Sequence, residues 1–588
     1  MAAIVEFLGN RITEATSTAN WSSFRFNGNN GASNPEFPAD DSIQGGNALG
    51  FTFTQANRGF IACYDYVGAG GTALNFSAGG ANENQMLSVW AQNVFPLAST
   101  GSVNGGYYGG IGLAVGSDAT LGNSYAAWSI YGSENYPGGW VKLIIDPRKT
   151  PTISGGTFTA SSLSSIRWLG ISYFLTAGKT GPQGIFIDAI DIGSGLRIYG
   201  SGTEQDGFAD LLLADEGTTA NKYGIIKSLD ASSNILQLQS KLFIGDSTGT
   251  NQTIFNDIDK TIVIGQPQYI DSNGVFQNAL PDDYLEINVE GNSTSRTDVT
   301  FGIVVSGTDI NGNENLGRNG LTFLGNDLYN INFNFNDGNV DSVKLYGTIL
   351  RNFKPTGGLV WDAETNHELV GSFMDNCAMV RPDSGVFIRN TTFLNHTSAG
   401  TNEGSLYFTS NAPSDTVIDI KNSSFVANDY AIEHPATGEF SYDNLKFSAN
   451  TYDVYLNYTG GAIASDPEFE LTINLTNGAN ATTYISGANS GDIELLSAVT
   501  LTLTNIQSGS EVRIRPINNS SVVLFSEENV TDGTSEYVYN YPPVYEEIDI
   551  FVMKVPNYKW FSLTNYTLGS SSAELYISQI PDRTYDNP

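Results

Sequence analysis

The chain has 588 residues, with 61 acidic against 27 basic side chains, a net charge of −34, and 64 glycines, 29 tyrosines and 32 phenylalanines. Apolar residues make up 40% and aromatics 12%, more than a disordered chain carries, so the acidity sits on folded surface. A polyanion without a run of Lys or Arg repels nucleic acid and acidic membranes, and both are set aside as partners.

Charged residues are only 15% of the chain, so most polar surface must come from Gly, Ser, Thr and Asn, the composition of strands and turns. No long segment has the 3.6-residue apolar period of an amphipathic helix. The expected class is all-β, in three modules. Residues 1–199 form the first, an aromatic-rich, jelly-roll-like β-sandwich. It holds five of the seven tryptophans among short apolar runs at 86–95, 140–147 and 166–175, separated by glycine-rich breaks. Trp90, Trp128 and Trp140 are its candidate glycan-stacking residues; burial in the core is the competing role.

From 200 to 462 the texture changes to a recurring unit, clearest between 328 and 450: an apolar residue, any residue, Asn or Gly, two more residues, then another apolar one. It recurs at Leu328–Phe333, Leu345–Leu350, Leu369–Met374, Ile388–Phe393, Ile420–Phe425 and Tyr442–Phe447. The mean step of about 23 residues suits one coil of a right-handed parallel β-helix. The Asn/Gly position, at 330, 347, 371, 390, 422 and 444, should then be a left-handed bend between two short strands, with the flanking apolar residues pointing inward. A second Asn follows most units, at 336, 352, 376, 395, 428 and 450. Residues 467–588 break this rhythm with seven closely spaced strand-like runs, which predict a C-terminal immunoglobulin-like or transthyretin-like sandwich.

Candidate chemistry is sparse. Glu364, Asp383 and Asp415 each lie seven residues before a bend position, so stacked coils would bring them into one column. Paired carboxylates at about 5–9 Å are what glycoside hydrolysis needs; turn-capping aspartates are the bland alternative. Asp309, Asn311 and Asn313 alternate like the oxygen ligands of a Ca2+ loop, but the glycine and the closing Glu of an EF-hand are missing, so Ca2+ is a weak cofactor candidate and no other cofactor is expected. His367, His396 and His434 take different offsets from the bends, which argues against a shared metal site and for solvated loop histidines. Cys63 and Cys377, far apart in sequence, are expected to be unpaired. No leader, apolar span, Ser-His-Asp pattern or phosphate-binding loop is read, and Asn-x-Ser/Thr triplets such as Asn390-Thr391-Thr392 follow from composition.

The order of sandwich, Asn-rich parallel β-helix and terminal sandwich resembles tailed-bacteriophage fibre, tailspike and related virion surface proteins. The segments IDAIDIGSGLRIYG (187–200), GRNGLTFLGN (317–326) and DRTYDNP (582–588) are similar to stretches in structural proteins of environmental, often marine, phages. The resemblance implies an exterior virion component made in the host cytoplasm without a signal peptide. Its partners would be other virion proteins, further copies of itself as a homo-oligomer such as a trimer, and a host surface polysaccharide. No catalytic residue is carried over. A polysaccharide depolymerase and a bacterial surface adhesin are the alternative functions.

Overall fold

The structure is a computed structural model. It describes residues 3–582 apart from 26–41, 43–45, 54–58, 94–101, 104–106, 109, 120–121, 132–139, 175–182, 201–206, 217–222, 266–267, 281–285, 304–319, 326–331, 335–339, 355–357, 362–366, 383–385, 399–402, 409–418, 436, 458–469, 488–491, 518, 520 and 542. The described chain is built almost entirely of β-strands, with a single α-helix, Gly207–Glu216. It divides into two compact units, Met1–Val386 and Phe387–Pro588.

The first unit begins as two antiparallel sheets. One joins Trp140–Ile145, Met86–Asn93 and Gln183–Tyr199, and the last of these also pairs with Ile4–Thr13 and Leu49–Phe53. The other runs through Trp21–Arg25, Gly59–Asp65, Trp168–Phe174, Gly110–Gly116 and Ser124–Tyr131. It is extended by a hairpin from much later in the chain, Gln268–Ile270 with Phe276–Asn278. Alternation makes the core: Leu87, Val89 and Ala91 meet Leu113, Trp128 and Ile171 between the sheets. Each fully buried aliphatic side chain here contributes about 1.5–3 kcal/mol.

Strand Gln183–Tyr199 changes partner type along its length. Its end, Gly195–Ile198, pairs in parallel with Lys241–Ile244, which pairs in parallel with Glu286–Val289 and through it with Asn332–Asn334. Two further parallel ladders rise beside it, Ile235–Leu238 to Phe373–Asp375 and Thr253–Asp257 to Glu368–Val370. Successive strands of the chain therefore visit each ladder in turn, as in stacked coils. The helix Gly207–Glu216 covers the first strands of two ladders: Phe208 is fully buried against Phe255, Phe301 and Phe323 at 5.5, 6.3 and 6.2 Å between ring centroids.

The second unit repeats the coil pattern with strands such as Asp419–Lys421, Ser424–Val426 and Tyr430–His434, followed by Gly438–Asp443, Lys446–Ser448 and Tyr452–Leu456. The bends at Gly347, Gly371, Asn390, Asn422 and Asn444 all have φ between 50° and 63°, as the Asn/Gly pattern requires. Asn330 itself lies outside the described residues, but Phe333 of that unit sits on the ladder of Glu286–Val289, whereas Leu350 and Met374 continue the ladder of Phe323, so the first unit read from the sequence is out of register with the others. The flanking apolar residues Leu345, Leu350, Leu369, Met374, Ile388, Phe393, Ile420, Phe425, Tyr442 and Phe447 are all buried. Phe393, Phe425 and Phe447 stack at 4.9 and 5.2 Å with rings within 11° of parallel, matching a coil rise of about 4.8 Å. Asn428 and Asn450 form an interior ladder: the Asn450 carboxamide oxygen accepts from Asn428 N and Nδ2, both at 3.0 Å, while Asn428 Nδ2 also donates to Phe393 O.

Asn480 ends one ladder. Its side chain accepts from Phe447 N at 2.7 Å and donates to Phe447 O at 3.2 Å, standing in for the next strand. The chain then runs into a seven-stranded sandwich. Asp492–Thr504 pairs with Thr534–Tyr541 and Ala573–Tyr576, and faces a sheet ordered Phe525–Val530, Ser510–Pro516, Glu547–Met553, Phe561–Thr567. Val499, Leu501 and Leu503 pack against Val512, Ile514, Ile548, Ile550 and Val552 between them.

Candidate functional site

The long strand Asp492–Thr504 has a dual role in the second unit. Through Asp492–Ser497 it pairs in parallel with Glu470–Leu475, and through Ser497–Thr504 it pairs antiparallel with Thr534–Tyr541. A cleft of about 450 Å3 lies beside this change of partners. That volume lies within the range of small-ligand sites.

The lining follows from strand alternation. In Thr534–Tyr541, Tyr537 and Tyr539 turn inward while Glu536, Val538 and Asn540 are exposed. The two tyrosine rings stack at 5.5 Å and 27°, and Tyr539 Oη donates to Gly569 O at 2.7 Å, fixing that ring. Burial pushes both phenol groups above their ordinary range, so the rings stay neutral. Leu496 and Leu524 add apolar surface, and Pro543, Val544 and Tyr545 form the wall beyond the strand; Val544 is 91% exposed. Glu494 and Asn540 supply the polar groups. Tyr537 and Tyr539 belong to the buried core of the sandwich and form the floor, so half-buried Tyr545 is the ring left to pack against a ligand, with exposed Asn540 able to donate and accept hydrogen bonds beside it.

Glu364, Asp383 and Asp415, and likewise Asp309, Asn311 and Asn313, lie outside the described residues. Trp128 is 1% exposed, and its indole N–H donates to Lys149 O at 2.9 Å; it is a core residue and presents no ring face to a sugar. Trp90 points away from the core yet is also buried, with Lys142 Nζ 5.4 Å from its ring. Trp140 is half-buried.

The histidines are not solvated, a correction to the sequence reading. His367, His396 and His434 are all buried. His367 Nδ1 accepts from Val343 N, His396 pairs with Glu403 O, and His434 Nε2 meets Tyr442 Oη at 2.7 Å between Phe408 and Phe440. They occupy separate places, and no cluster of three or more His, Cys, Asp or Glu suited to a metal occurs among the described residues. Cys63 and Cys377 are free and buried, and burial pushes both thiols up to about 12, so neither is a ready nucleophile.

A second charged cluster lies in the first unit, behind the sheet that carries Trp90. Asp191 is fully buried between Arg11 and Lys142, each at 2.5 Å. Asp215, near the end of the helix, accepts from the N–H groups of Tyr223, Ile225 and Ile226 at 2.8–3.0 Å. Burial draws the Lys142 ammonium down and pushes Asp215 up to about 7, against its hydrogen bonds and Lys142. Asp191 is thus bonded to Arg11 and Lys142, and Asp215 to the backbone of the segment after the helix, so these buried carboxylates already have partners within the fold.

No protein-family model and no curated protein matches the chain. Similar solved structures include a family 11 carbohydrate-binding module from Clostridium thermocellum in complex with a β-1,3-1,4-mixed-linked tetrasaccharide. It is 12% identical, with 32% of this chain and 96% of that one covered, at a TM-score of 0.22. The Agl-KA catalytic domain is 10% identical over 82% of this chain and 99% of that one, at 0.23. The catalytic unit of a GH87 α-1,3-glucanase from Streptomyces thermodiastaticus strain HF3-3 is 11% identical over 81% and 95%, at 0.20. At these scores the likenesses assign neither function nor site residues.

Proposed function

We propose that this chain is a structural and adhesive protein of a virus-particle exterior, of the tailed-bacteriophage appendage kind, and that it contacts host surface glycan through its C-terminal sandwich. The carrying observation is the cleft in which Tyr537, Tyr539 and Tyr545 stand with Glu494 and Asn540. Coils and sandwiches supply a rigid frame in which such a site is held on strands. The acidic, hydroxyl- and amide-rich composition fits an exposed particle surface in salty medium, where charges are screened over about 10 Å or less. Assembly with other virion proteins and with further copies of the chain belongs to the same reading.

Retention of the purified full chain on immobilised surface polysaccharide from candidate hosts tests it. Wild type is expected to bind, and Tyr545→Ala, in the wall beyond the strand, to weaken binding at least about tenfold at unchanged thermal midpoint, the loss expected for one aromatic anchor. Absence of binding, or binding indifferent to Tyr545→Ala, would overturn it. Release of new reducing ends from the polymer by wild type would instead favour the depolymerase.

A further inference from the structure

Resting on the glycan reading, we infer that the C-terminal sandwich carries a second saccharide contact, an aromatic platform centred on Trp560. Of the seven tryptophans, Trp21, Trp90, Trp128, Trp168 and Trp361 are buried and Trp140 is half-buried, whereas Trp560 is 65% exposed. Strand alternation builds the platform around it. In the sheet that ends in Phe561–Thr567, Val552 pairs with Phe561 and Phe551 with Ser562. Val552 faces the core, so Phe551, Met553 and Ser562 face outward, and Trp560, the residue before Phe561, falls on the same side. The next strand adds Glu511 opposite Met553 and Arg513 opposite Phe551, and these two side chains form an ion pair. The backbone that presents the indole is fixed: Tyr558 N donates to Lys554 O, Lys559 N to Ile580 O and Asp582 N to Asn557 O, each at 2.9 Å.

The chemistry of this face suits a pyranose ring. The indole covers a C–H face, with Phe551 and Met553 as half-buried apolar surface beside it. Arg513 keeps N–H donors beyond the one it gives to Glu511, and the Glu511 carboxylate keeps acceptor sites, so the pair can exchange hydrogen bonds with ring hydroxyls. A second protein fits less well. Even large aromatic side chains bury only about 150–250 Å2 each, so Trp560, Phe551 and Met553 fall short of the roughly 800 Å2 that each partner of a stable interface buries. The platform is also separate from the cleft. Tyr545 precedes strand Glu547–Met553 and Trp560 lies beyond its far end, and seven residues of strand span about 20 Å. Two such contacts on one sandwich raise its avidity for a polymer without either having to be tight.

The test uses the full chain and surface polysaccharides from candidate hosts. Because the other tryptophans are shielded, acrylamide should quench mainly the fluorescence of Trp560, and saturating polysaccharide should remove most of that quenching. On the immobilised polymer, Trp560→Ala should weaken retention at least about tenfold at unchanged thermal midpoint. Trp560→Tyr, which keeps a ring face, should weaken it less than about threefold, and Trp560→Ala combined with Tyr545→Ala more than either alone. Quenching indifferent to polysaccharide, or retention indifferent to Trp560→Ala while Tyr545→Ala weakens it, would overturn the inference and leave the glycan reading standing. So would loss of an oligomer in Trp560→Ala, read by light scattering, with polysaccharide retention unchanged, since the face would then join copies of the chain. No retention of wild type on any host polymer would overturn both.

Discussion

The imidazole of His434 is wholly buried, with its Nε2 at 2.7 Å from Tyr442 Oη. The ring lies in a fully buried slot between Phe408 and Phe440, and burial lowers its pKa from 6.5 to about 3. Its folded pKa is below its unfolded one, so the unfolded chain binds the proton first. The neutral ring's stabilisation is fully present above pH 6.5 and is lost as pH falls from there towards 3. The expected result is a urea midpoint for wild type that drops between pH 6.5 and 4 more steeply than for His434→Gln, which removes the titration and keeps a partner for Tyr442. Equal pH slopes for the two would show the slot to be open to water. The thiols make a companion case: Cys63 and Cys377, both pushed up to about 12, should stay unreactive towards a thiol reagent at pH 8 until the chain is unfolded. None of this was readable from spacing, which separates the three histidines but cannot say which loop covers them. Trp90 and Trp128 are buried for a related reason. Alternation in Met86–Asn93 turns Trp90 away from the core, and only the fold brings Gly224 and Lys142 over it.

At the scale of the repeating element, more was legible. Asn or Gly at the bend and apolar residues two before and three after it are sufficient to specify the turn and the inward-facing positions, because only a few residues accept a left-handed φ. Asn444, at φ 53°, should accordingly tolerate replacement by Gly within about 0.5 kcal/mol, whereas Asn444→Val should cost about 1–3 kcal/mol in chemical denaturation. A further signal was present and unread. The residue after the bend is a buried hydroxyl in four coils, Thr348, Ser372, Thr391 and Ser423. These bond between coils, as in Thr348 N to Ser372 Oγ at 3.1 Å and Thr391 N to Ser423 Oγ at 3.2 Å. Among the described units the second asparagine splits into two roles. Asn352, Asn376 and Asn395 are themselves left-handed bends; in the later coils Ala427 and Ala449 take that conformation, Asn428 is buried, and Asn450, half-buried, donates to Phe425 O. Asn428→Ala leaves the backbone N–H of His396 and the carbonyl of Phe393 without their partner, and is expected to lower stability by about 2–4 kcal/mol. The cleft was the least legible feature, since it draws on positions from 494 to 545. Its trace in the sequence is the alternating tyrosine run of Thr534–Tyr541, continued at Tyr545 beyond the prolines.

For the whole molecule the dominant physical quantity is a net charge of −34. Self-repulsion of that size opposes the compact state, and salt relieves it over a distance of about 10 Å at 0.1 M. The thermal midpoint should therefore rise by a few degrees between 10 mM and 500 mM NaCl, measured by circular dichroism; a fall would mean that exposed ion pairs such as Arg351–Asp375 outweigh repulsion. The described residues contain no helix long and apolar enough to cross a membrane. A different consequence attaches to strand Gln183–Tyr199, flanked by antiparallel neighbours and continued into a parallel ladder. A pull along its axis loads many inter-strand hydrogen bonds at once, in shear, instead of opening them one by one. The strand would then behave as a mechanical tether within its unit, resisting tension applied between sandwich and coils far better than its equilibrium stability alone suggests.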